Sequence, residues 1–304
     1  MMWRKNMKLA ITTSLVTPHN SPFPLTAKEA ILRLCDGGFK YLDYGLSREF
    51  QHANARASSV FVHGDWRKWC EEIRQAVEDK GTTFIQTHCV FPNYFADDEY
   101  NQWLTAQAEL CYEATALVGA PVTVMHPIAP PGMEYDREGS KIANRDYFRK
   151  QADIAAKYGV KIAVENMLSN RLFDGGLTKR CCTTTEELIE QVEAIDHENV
   201  GICIDVAHTH YMKEDVGDAL RMCKKHLIAL HMSDNDTFND CHVTPYNCNL
   251  DWEKVYAAIN EIGYKGGGML EIHACPNMEA DIQMETIRYL AKLAAWMQKR
   301  MGGE

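Results

Sequence analysis

Short apolar runs rich in β-branched residues alternate along the chain with longer stretches whose apolar positions follow a helical period. Runs of about four to eight such residues are typical of buried strands, and the longer stretches are typical of amphipathic helices. The predicted strands begin at Leu9, Phe39, Thr82, Val122, Lys161, Val200, Leu227 and Gly268. Each interval has room for one helix and its loops, so the pattern predicts eight βα units in series.

Capping signals mark where some of the intervening helices begin. Thr26 followed by Glu29, and Thr183 followed by Glu186, form the pattern in which two side chains satisfy backbone N–H groups at a helix start. A last helix is predicted from about Met278 to Met301. Both capping patterns directly precede helical stretches, which supports the alternation of strands and helices.

Eight βα units predict a parallel sheet, and eight strands are the number that closes a (β/α)8 TIM barrel without exposed edges. The alternative is an open, doubly wound sheet with helices on both faces. No linker, low-complexity segment or shift in composition divides the chain. Residues 1–304 are therefore predicted to form a single domain of the α/β class.

Composition and charge narrow the function. The net charge of −10 argues against a surface for nucleic acid or anionic lipid, and no run of about 18 apolar residues supports a membrane span. The polar residues 12–14 make the first apolar run a poor signal sequence. The eleven cysteines include no CxxC pair, so reduced thiols in a cytoplasmic protein are expected.

Acidic residues and histidines stand where the apolar runs end. Strands three to eight are followed by His88, His126, Glu165, Asp205, His231 and Glu271, with His208 shortly after Asp205 and with Asp240 and His242 in the loop after strand seven. A lone residue of this kind usually lies on the surface, but the carboxyl ends of barrel strands surround one mouth. Convergent His, Asp and Glu side chains suit a divalent ion such as Mn²⁺, Co²⁺ or Zn²⁺.

Five motifs together resemble the xylose-isomerase-like TIM-barrel superfamily. They are VEN at 164–166, CIDVAH at 203–208, LHMSDND at 230–236, a histidine and LDW within 242–252, and MLEIH at 269–273. The superfamily includes sugar phosphate isomerases and epimerases, ketose 3-epimerases, inosose dehydratases and the endonuclease IV group. The resemblance covers nearly the whole chain and implies the same barrel.

The resemblance also implies roles for individual residues. In the epimerases and isomerases one divalent metal is held by residues that match Glu165, Asp205, His231 and Glu271. The residues that match Glu165 and Glu271 also serve there as the acid/base pair, and the residue that matches His208 contacts substrate. The same assignments are expected in this chain.

A larger ligand set is present as well. The endonuclease IV group holds three zinc ions, and its remaining ligands match His88, His126, His208, Asp240 and His242. His88 and His126 are therefore candidates either for substrate binding or for additional metal. Two departures affect substrate recognition: VTPYNCN at 243–249 replaces a glycine-rich turn, and Thr237 stands where tagatose-type epimerases carry an arginine.

The resemblance implies a divalent-metal-dependent isomerase or epimerase of a sugar or sugar-like polyol. The ion would stabilise an enediolate while Glu165 and Glu271 move a proton at the carbon alpha to a carbonyl. Two alternatives stay open: a lyase or dehydratase acting on an inosose or keto-sugar, and an endonuclease IV-type phosphodiesterase, which the acidic balance opposes. The expected partner is a small sugar or polyol, without nucleic acid or membrane, and a homo-oligomer is left open.

Six aromatic residues are candidates to stack on a sugar or to exclude water, with ordinary packing as the alternative. They are Trp66, Phe91, Tyr94, Trp103, Phe173 and Tyr246.

Overall fold

The computed structural model describes residues 7–16, 25–51, 56–57, 59–92, 98–128, 135–169, 180–272, 275 and 277–302. Eight parallel strands form a closed barrel in chain order, and the last strand pairs with the first. The strands are β1 (Lys8–Thr12), β2 (Tyr41–Gly45), β3 (Thr83–His88), β4 (Val122–Met125), β5 (Lys161–Glu165), β6 (Val200–Asp205), β7 (Leu227–His231) and β8 (Gly267–Leu270). The predicted (β/α)8 TIM barrel is confirmed, and the open sheet is excluded because each of the eight described strands pairs with a neighbour on both sides.

Seven predicted strand starts fall within one residue of those observed, and the eighth, Phe39, is two residues early. Phe39 belongs instead to the turn that ends the preceding helix, since its N–H donates to Leu34 O at 3.3 Å. Gly38 makes this turn with a φ of 104°, in the left-handed region that favours glycine. The apolar Phe39 is buried beside the strand without being part of it.

Helices follow the strands around the outside of the barrel. Those that the structure describes are α1 (Ala27–Asp36), α2 (Leu46–Gln51), α3 (Val60–His63), α4 (Trp66–Glu78), α5 (Asp98–Leu117), α6 (Arg137–Ala156), α7 (Thr185–Ile195), α8 (Val206–Tyr211), α9 (Val216–Cys223), α10 (Trp252–Ile262) and α11 (Ala280–Arg300). Helix α11 lies inside the predicted span, and the chain shows the predicted alternation.

One capping prediction is confirmed and the other is wrong by one residue. Thr26 and Glu29 form the reciprocal box at the start of α1. The residue that caps α7 is Thr184 rather than Thr183, and its side chain accepts from Glu187 N at 3.2 Å. The shift has a tertiary cause, because Glu214 accepts from both the backbone N–H and the hydroxyl of Thr185.

The barrel interior contains a small apolar layer beneath the polar strand ends. Val124, Ala163, Cys203 and Ala229 form one cluster of strand residues. Side chains alternate along a strand, so residues two positions further on face the same interior. Glu165, Asp205 and His231 stand two positions after Ala163, Cys203 and Ala229. The fold therefore aims these three side chains into the mouth.

Two expectations from composition can be compared with the structure. None of the described helices combines the length and apolar character of a membrane-spanning segment. The eleven cysteines are free thiols, as predicted, and most of them are buried.

Candidate metal and acid/base site

Four residues predicted from separate strand ends meet in one buried cluster. One ligand atom from each of Glu165, Asp205, His231 and Glu271 can be chosen so that all lie within 4.8 Å of one another. The Nδ1 atom of His231 is central: it lies 3.1 Å from Glu165 Oε1 and 3.0 Å from Glu271 Oε2. Asp205 Oδ2 is 4.0 Å from the same nitrogen.

Strand register brings these side chains to one level. The pairing of β6 with β7 shifts between Ile202 and Cys203, which places Asp205 opposite His231 at the ends of the two strands. Such an irregularity is a common means of re-aiming side chains beside functional sites. The register shift thus places the Asp205 carboxylate beside the His231 imidazole.

Asp205 is both the last residue of β6 and the cap of α8. Its Oδ1 atom accepts hydrogen bonds from Ala207 N at 2.6 Å and His208 N at 3.0 Å. The helix start therefore orients the carboxylate, as N-cap side chains do. The second oxygen, Oδ2, is left facing the cluster.

Three carboxylate oxygens in the cluster lack hydrogen bonds. Glu165 Oε2, Asp205 Oδ2 and Glu271 Oε2 are buried and have no hydrogen-bond partner among the described residues. The single Nδ1 hydrogen of His231 bonds to Glu165 and cannot also serve Glu271. A buried acceptor without a donor is costly, whereas a cation satisfies several carboxylates at once. The three carboxylates and the imidazole therefore fit a divalent metal ion.

Burial and neighbouring charges act in opposite directions on the acids. Burial raises the pKa of Asp205, and that effect prevails over the attraction of nearby histidines. Burial also tends to raise the pKa of Glu165, but His231 and His126 outweigh it and hold the pKa well below its usual range. The pKa of Glu271 is likewise lowered against the effect of burial, first by His231. Both glutamates are therefore ionised near neutral pH.

The surrounding acids also act on His231. Burial tends to lower its pKa, but Cys203, Glu165 and Glu271 together raise the pKa well above its usual value. The surrounding carboxylates thus favour the protonated form of this imidazole in the metal-free protein. Because a metal ligand must be unprotonated, an ion bound here would compete with that proton.

A second cluster lies beside the first and shares Asp205. Ligand atoms of Asp205, His208 and His242 can also lie within 4.8 Å of one another. Asp240 Oδ1 is 3.0 Å from His242 Nε2 and 3.8 Å from His208 Nε2. The opposite nitrogen of His208, Nδ1, lies 2.8 Å from the carbonyl oxygen of Asn166, which orients the ring. The structure thus brings the larger predicted set into one region.

His88 and His126 complete the predicted residues. His126 Nε2 is 3.2 Å from Glu165 Oε2, at an angle that makes an ion-pair contact without a hydrogen bond, and its ring is stacked on Phe91 with centroids 3.9 Å apart. His88 Nε2 is 3.9 Å from Glu271 Oε1. Both imidazoles therefore border the two glutamates.

The aromatic candidates pack mainly on other protein groups. Phe91 covers His126, Trp66 stacks on Phe61, and Trp103 meets Phe50 edge-on. The Tyr246 hydroxyl bonds to that of Tyr256 at 2.6 Å. Tyr94 and Phe173 lie outside the described residues.

Sequence reasoning missed three polar residues that support the site. Asn166 spans β5 and β6: its Oδ1 accepts from Asp205 N at 2.6 Å, and its Nδ2 donates to Asp205 O. Asp43 and Gln86 lie inside the barrel and contact His88 and His231, respectively. The available signal was a carboxylate and an amide inside predicted buried strands, where polar groups need partners.

A TIM barrel with an acidic, histidine-rich cluster at the carboxyl ends of its strands defines the class of this protein. Residues 44–297 match the family model described as xylose isomerase-like TIM barrel. The chain therefore belongs to that family, which confirms the resemblance drawn from the sequence.

Known proteins similar to this chain include an inosose isomerase from Halalkalibacterium halodurans, 26% identical over 127 residues, or 40% of this chain and 42% of that protein. The chain spans less than half the length of the curated relatives that it matches first. The structure of D-psicose 3-epimerase with D-tagatose from Clostridium cellulolyticum H10 has a TM-score of 0.72 at 16% identity, covering 96% of this chain and 99% of that one. The structure of the IOLI protein with a binding zinc atom has a TM-score of 0.71 at 19% identity, covering 97% and 98%. At these identities the structures show a shared fold.

Proposed function

We propose that the protein is a divalent-metal-dependent isomerase or epimerase of a sugar or sugar-like polyol. The observation that carries the proposal is the pair of glutamates, the buried Glu165 and the partly exposed Glu271, which lie 3.1 and 3.0 Å from His231 Nδ1. Relatives named inosose isomerase and D-psicose 3-epimerase support the same reaction class.

The metal would be held by Glu165, Asp205, His231 and Glu271, with Mn²⁺, Co²⁺ or Zn²⁺ suited to this donor set. When bound, such an ion supplies Lewis-acid chemistry, because it draws electrons from a carbonyl oxygen and makes the proton on the adjacent carbon acidic. The oxygens that lack hydrogen bonds in the cluster support this assignment.

The two glutamates would perform the proton transfer. Each has a pKa held well below its usual range, so each starts as a base. An epimerase needs one glutamate to remove the proton and the other to return one from the opposite face. An isomerase needs the proton to move between neighbouring carbons on one face.

The three histidines around the glutamates would bind the substrate. His208, His126 and His88 lie within 4 Å of Glu165 or Glu271 and surround the proposed reaction centre. Their ring nitrogens can donate to or accept from sugar hydroxyls. Specificity for a polyol would therefore come from several imidazoles rather than from one large apolar pocket.

The direct test follows exchange of a carbon-bound proton. A panel of ketoses, aldoses and inososes is incubated with the Mn²⁺-loaded protein in D₂O, and NMR detects deuterium alpha to the carbonyl. Glu165→Gln and Glu271→Gln should each lower turnover of the responding substrate by about 10²- to 10⁴-fold, since each removes an acid/base group. The change Glu113→Gln, at a partly exposed glutamate that pairs with Arg67 on the outer helices, is the matched control and should leave turnover unaltered.

Metal content is measured for each variant, so that lost metal is distinguished from lost proton transfer. Full turnover by both glutamine variants at saturating Mn²⁺ contradicts the two-glutamate mechanism. Exchange accompanied by loss of water would instead identify the lyase, which uses the same residues.

A second candidate function rests on the neighbouring cluster of Asp205, His208, His242 and Asp240. Several ions held close together can activate water on a phosphodiester, as in two-metal hydrolases. The net charge of −10 opposes binding of long DNA. More than one ion per chain, together with cleavage of abasic-site DNA at low salt, would favour this function over the isomerase.

A further inference from the structure

Asp43 is a fully buried carboxylate inside the barrel, to which the proposed reaction assigns no role. It lies on β2, where the pairing with β3 shifts after Leu42, so that Asp43 stands opposite Gln86 instead of Ile85. Ile85 packs in the apolar interior with Ala10 and Met269. The shift therefore places a polar pair directly above this apolar layer.

Asp43 makes close contact with His88. Its two oxygens lie 3.2 and 3.0 Å from His88 Nδ1. Gln86 Nε2 donates to Asp43 Oδ1 at 3.3 Å and thereby helps to hold the carboxylate. The same amide nitrogen is 2.9 Å from His231 Nε2. Two histidines of the site are thus connected to one buried acid.

The other nitrogen of His88 faces the proposed reaction centre. His88 Nε2 is buried, lacks a hydrogen-bond partner among the described residues, and lies 3.9 Å from Glu271 Oε1. An ionised carboxylate only accepts hydrogen bonds, so the imidazole nitrogen beside it must carry hydrogen. In a neutral imidazole the lone pair then lies on the opposite nitrogen.

We propose that Asp43 is a positioning residue, which fixes the ring of His88 with hydrogen on Nδ1 and directs the Nε2 lone pair toward a hydroxyl of the substrate. The part of this proposal that concerns a polyol hydroxyl rests on the proposed function, whereas the part that concerns the tautomer of His88 is independent of it. A carboxylate behind an imidazole commonly orients it and increases its basicity. Asp43 acts through His88 and need not touch the substrate.

The tautomer is measured without substrate. Protein labelled with ¹⁵N-histidine and loaded with Zn²⁺ is examined by long-range ¹H–¹⁵N NMR at alkaline pH, where His88 is neutral. The wild-type ring should show hydrogen on Nδ1 and an unprotonated Nε2. Asp43→Asn should give a mixture of tautomers, because an amide can donate as well as accept. Hydrogen on Nε2 in the wild type, or an unchanged single tautomer in the variant, overturns the proposal.

Thr87→Val is the matched control on the same strand. Thr87 stands between Gln86 and His88, and its hydroxyl contacts Thr115 and Thr123 at 2.7 Å. The substitution therefore perturbs β3 without changing the contact between Asp43 and His88. A purely structural role for Asp43 would alter stability in both variants and the tautomer in neither. The wild-type spectrum remains decisive even where Asp43→Asn does not fold.

Kinetics test the step from Asp43 to the reaction. With a substrate found in the D₂O panel, Asp43→Asn should lower kcat/KM by about 10- to 100-fold, as loss of an orienting partner does. In a His88→Ala background the same substitution should change kcat/KM less than about twofold, because residues acting through one another are not additive. Independent, multiplying effects overturn the coupling. Absence of any substrate contradicts the proposed function and leaves the NMR result to decide the role of Asp43.

Discussion

Asp205 and Asp234 are both completely buried aspartates near the carboxyl ends of neighbouring strands, yet their surroundings differ. Asp234 Oδ1 accepts from Leu250 N, and Oδ2 accepts from the backbone N–H groups of Tyr246 and Cys248 and from Trp252 Nε1, at 3.0 to 3.2 Å. These bonds tie residues 246–252 to the end of β7. Asp234 therefore stabilises the folded loop after β7.

Among the residues that the structure describes, Asp205 has hydrogen-bond donors for only one of its oxygens. Its Oδ1 atom caps α8, and its Oδ2 atom faces two glutamates and a histidine without a hydrogen bond. Burial alone therefore does not mark a functional acid. A carboxylate with one oxygen held by the fold and the other lacking a donor is oriented for an outside ligand.

The largest effect on stability is expected at Asp234. Asp234→Asn replaces an oxygen that accepts at least one backbone N–H by an NH₂ group that faces it. Each buried donor left without an acceptor costs about 1–3 kcal/mol, so we expect a loss of about 3 kcal/mol. Urea denaturation measures it. A loss below about 0.5 kcal/mol would show that the carboxylate is not what holds residues 246–252.

Asp205→Asn should affect metal binding more than folding, since the amide oxygen can still cap α8. At Mn²⁺ concentrations about 100 times the wild-type Kd, the ion should stabilise the wild type by about 2.7 kcal/mol. A 100-fold weaker affinity would reduce that gain to about 0.4 kcal/mol in the variant. Calorimetric melting with and without Mn²⁺ provides the measurement, and Asp234→Asn should retain the stabilisation. Equal stabilisation of the wild type and Asp205→Asn would remove Asp205 from the ligand set.

The smallest effect is expected at Asp205 without metal. Burial raises the pKa of Asp205 above 3.8, so its ionised form destabilises the folded protein. Metal-free Asp205→Asn should therefore be more stable than the wild type by on the order of 1 kcal/mol at neutral pH. The difference should shrink as pH falls through the folded pKa toward 3.8, where both states of the wild type bind the proton. Denaturation at several pH values would show this, and a pH-independent loss in the variant would contradict it.

The barrel could be predicted because its signal is local and repeated. Each strand is a short apolar run, and a closed set of eight leaves no exposed edge. The predicted element boundaries were wrong where a tertiary contact moved the start of a strand or helix. Phe39 closes a turn, and Glu214 shifts the start of α7 from Thr183 to Thr184.

The candidate site was predictable in its residues at strand ends, but not in its supporting contacts. Asp43 and Gln86 lie within predicted strands, and only the register shift between β2 and β3 brings them together. Asp234 and Asp236 are equally prominent in the sequence LHMSDND. In the structure Asp234 binds residues 246–252, whereas the half-buried Asp236 accepts from the N–H groups of Phe238 and Asn239 in its own loop. Long-range hydrogen bonding, rather than residue type, separates these roles.

The central position of His231 makes the basicities of the two glutamates interdependent. Without metal, His231 Nδ1 lies 3.1 Å from Glu165 Oε1 and 3.0 Å from Glu271 Oε2, and its one hydrogen bonds to Glu165. A change in ring angle that moved this hydrogen to Glu271 would weaken Glu271 as a proton acceptor and strengthen Glu165. In the proposed function the ion would take the place of that hydrogen, so that one shared cation would set the basicity of both glutamates together.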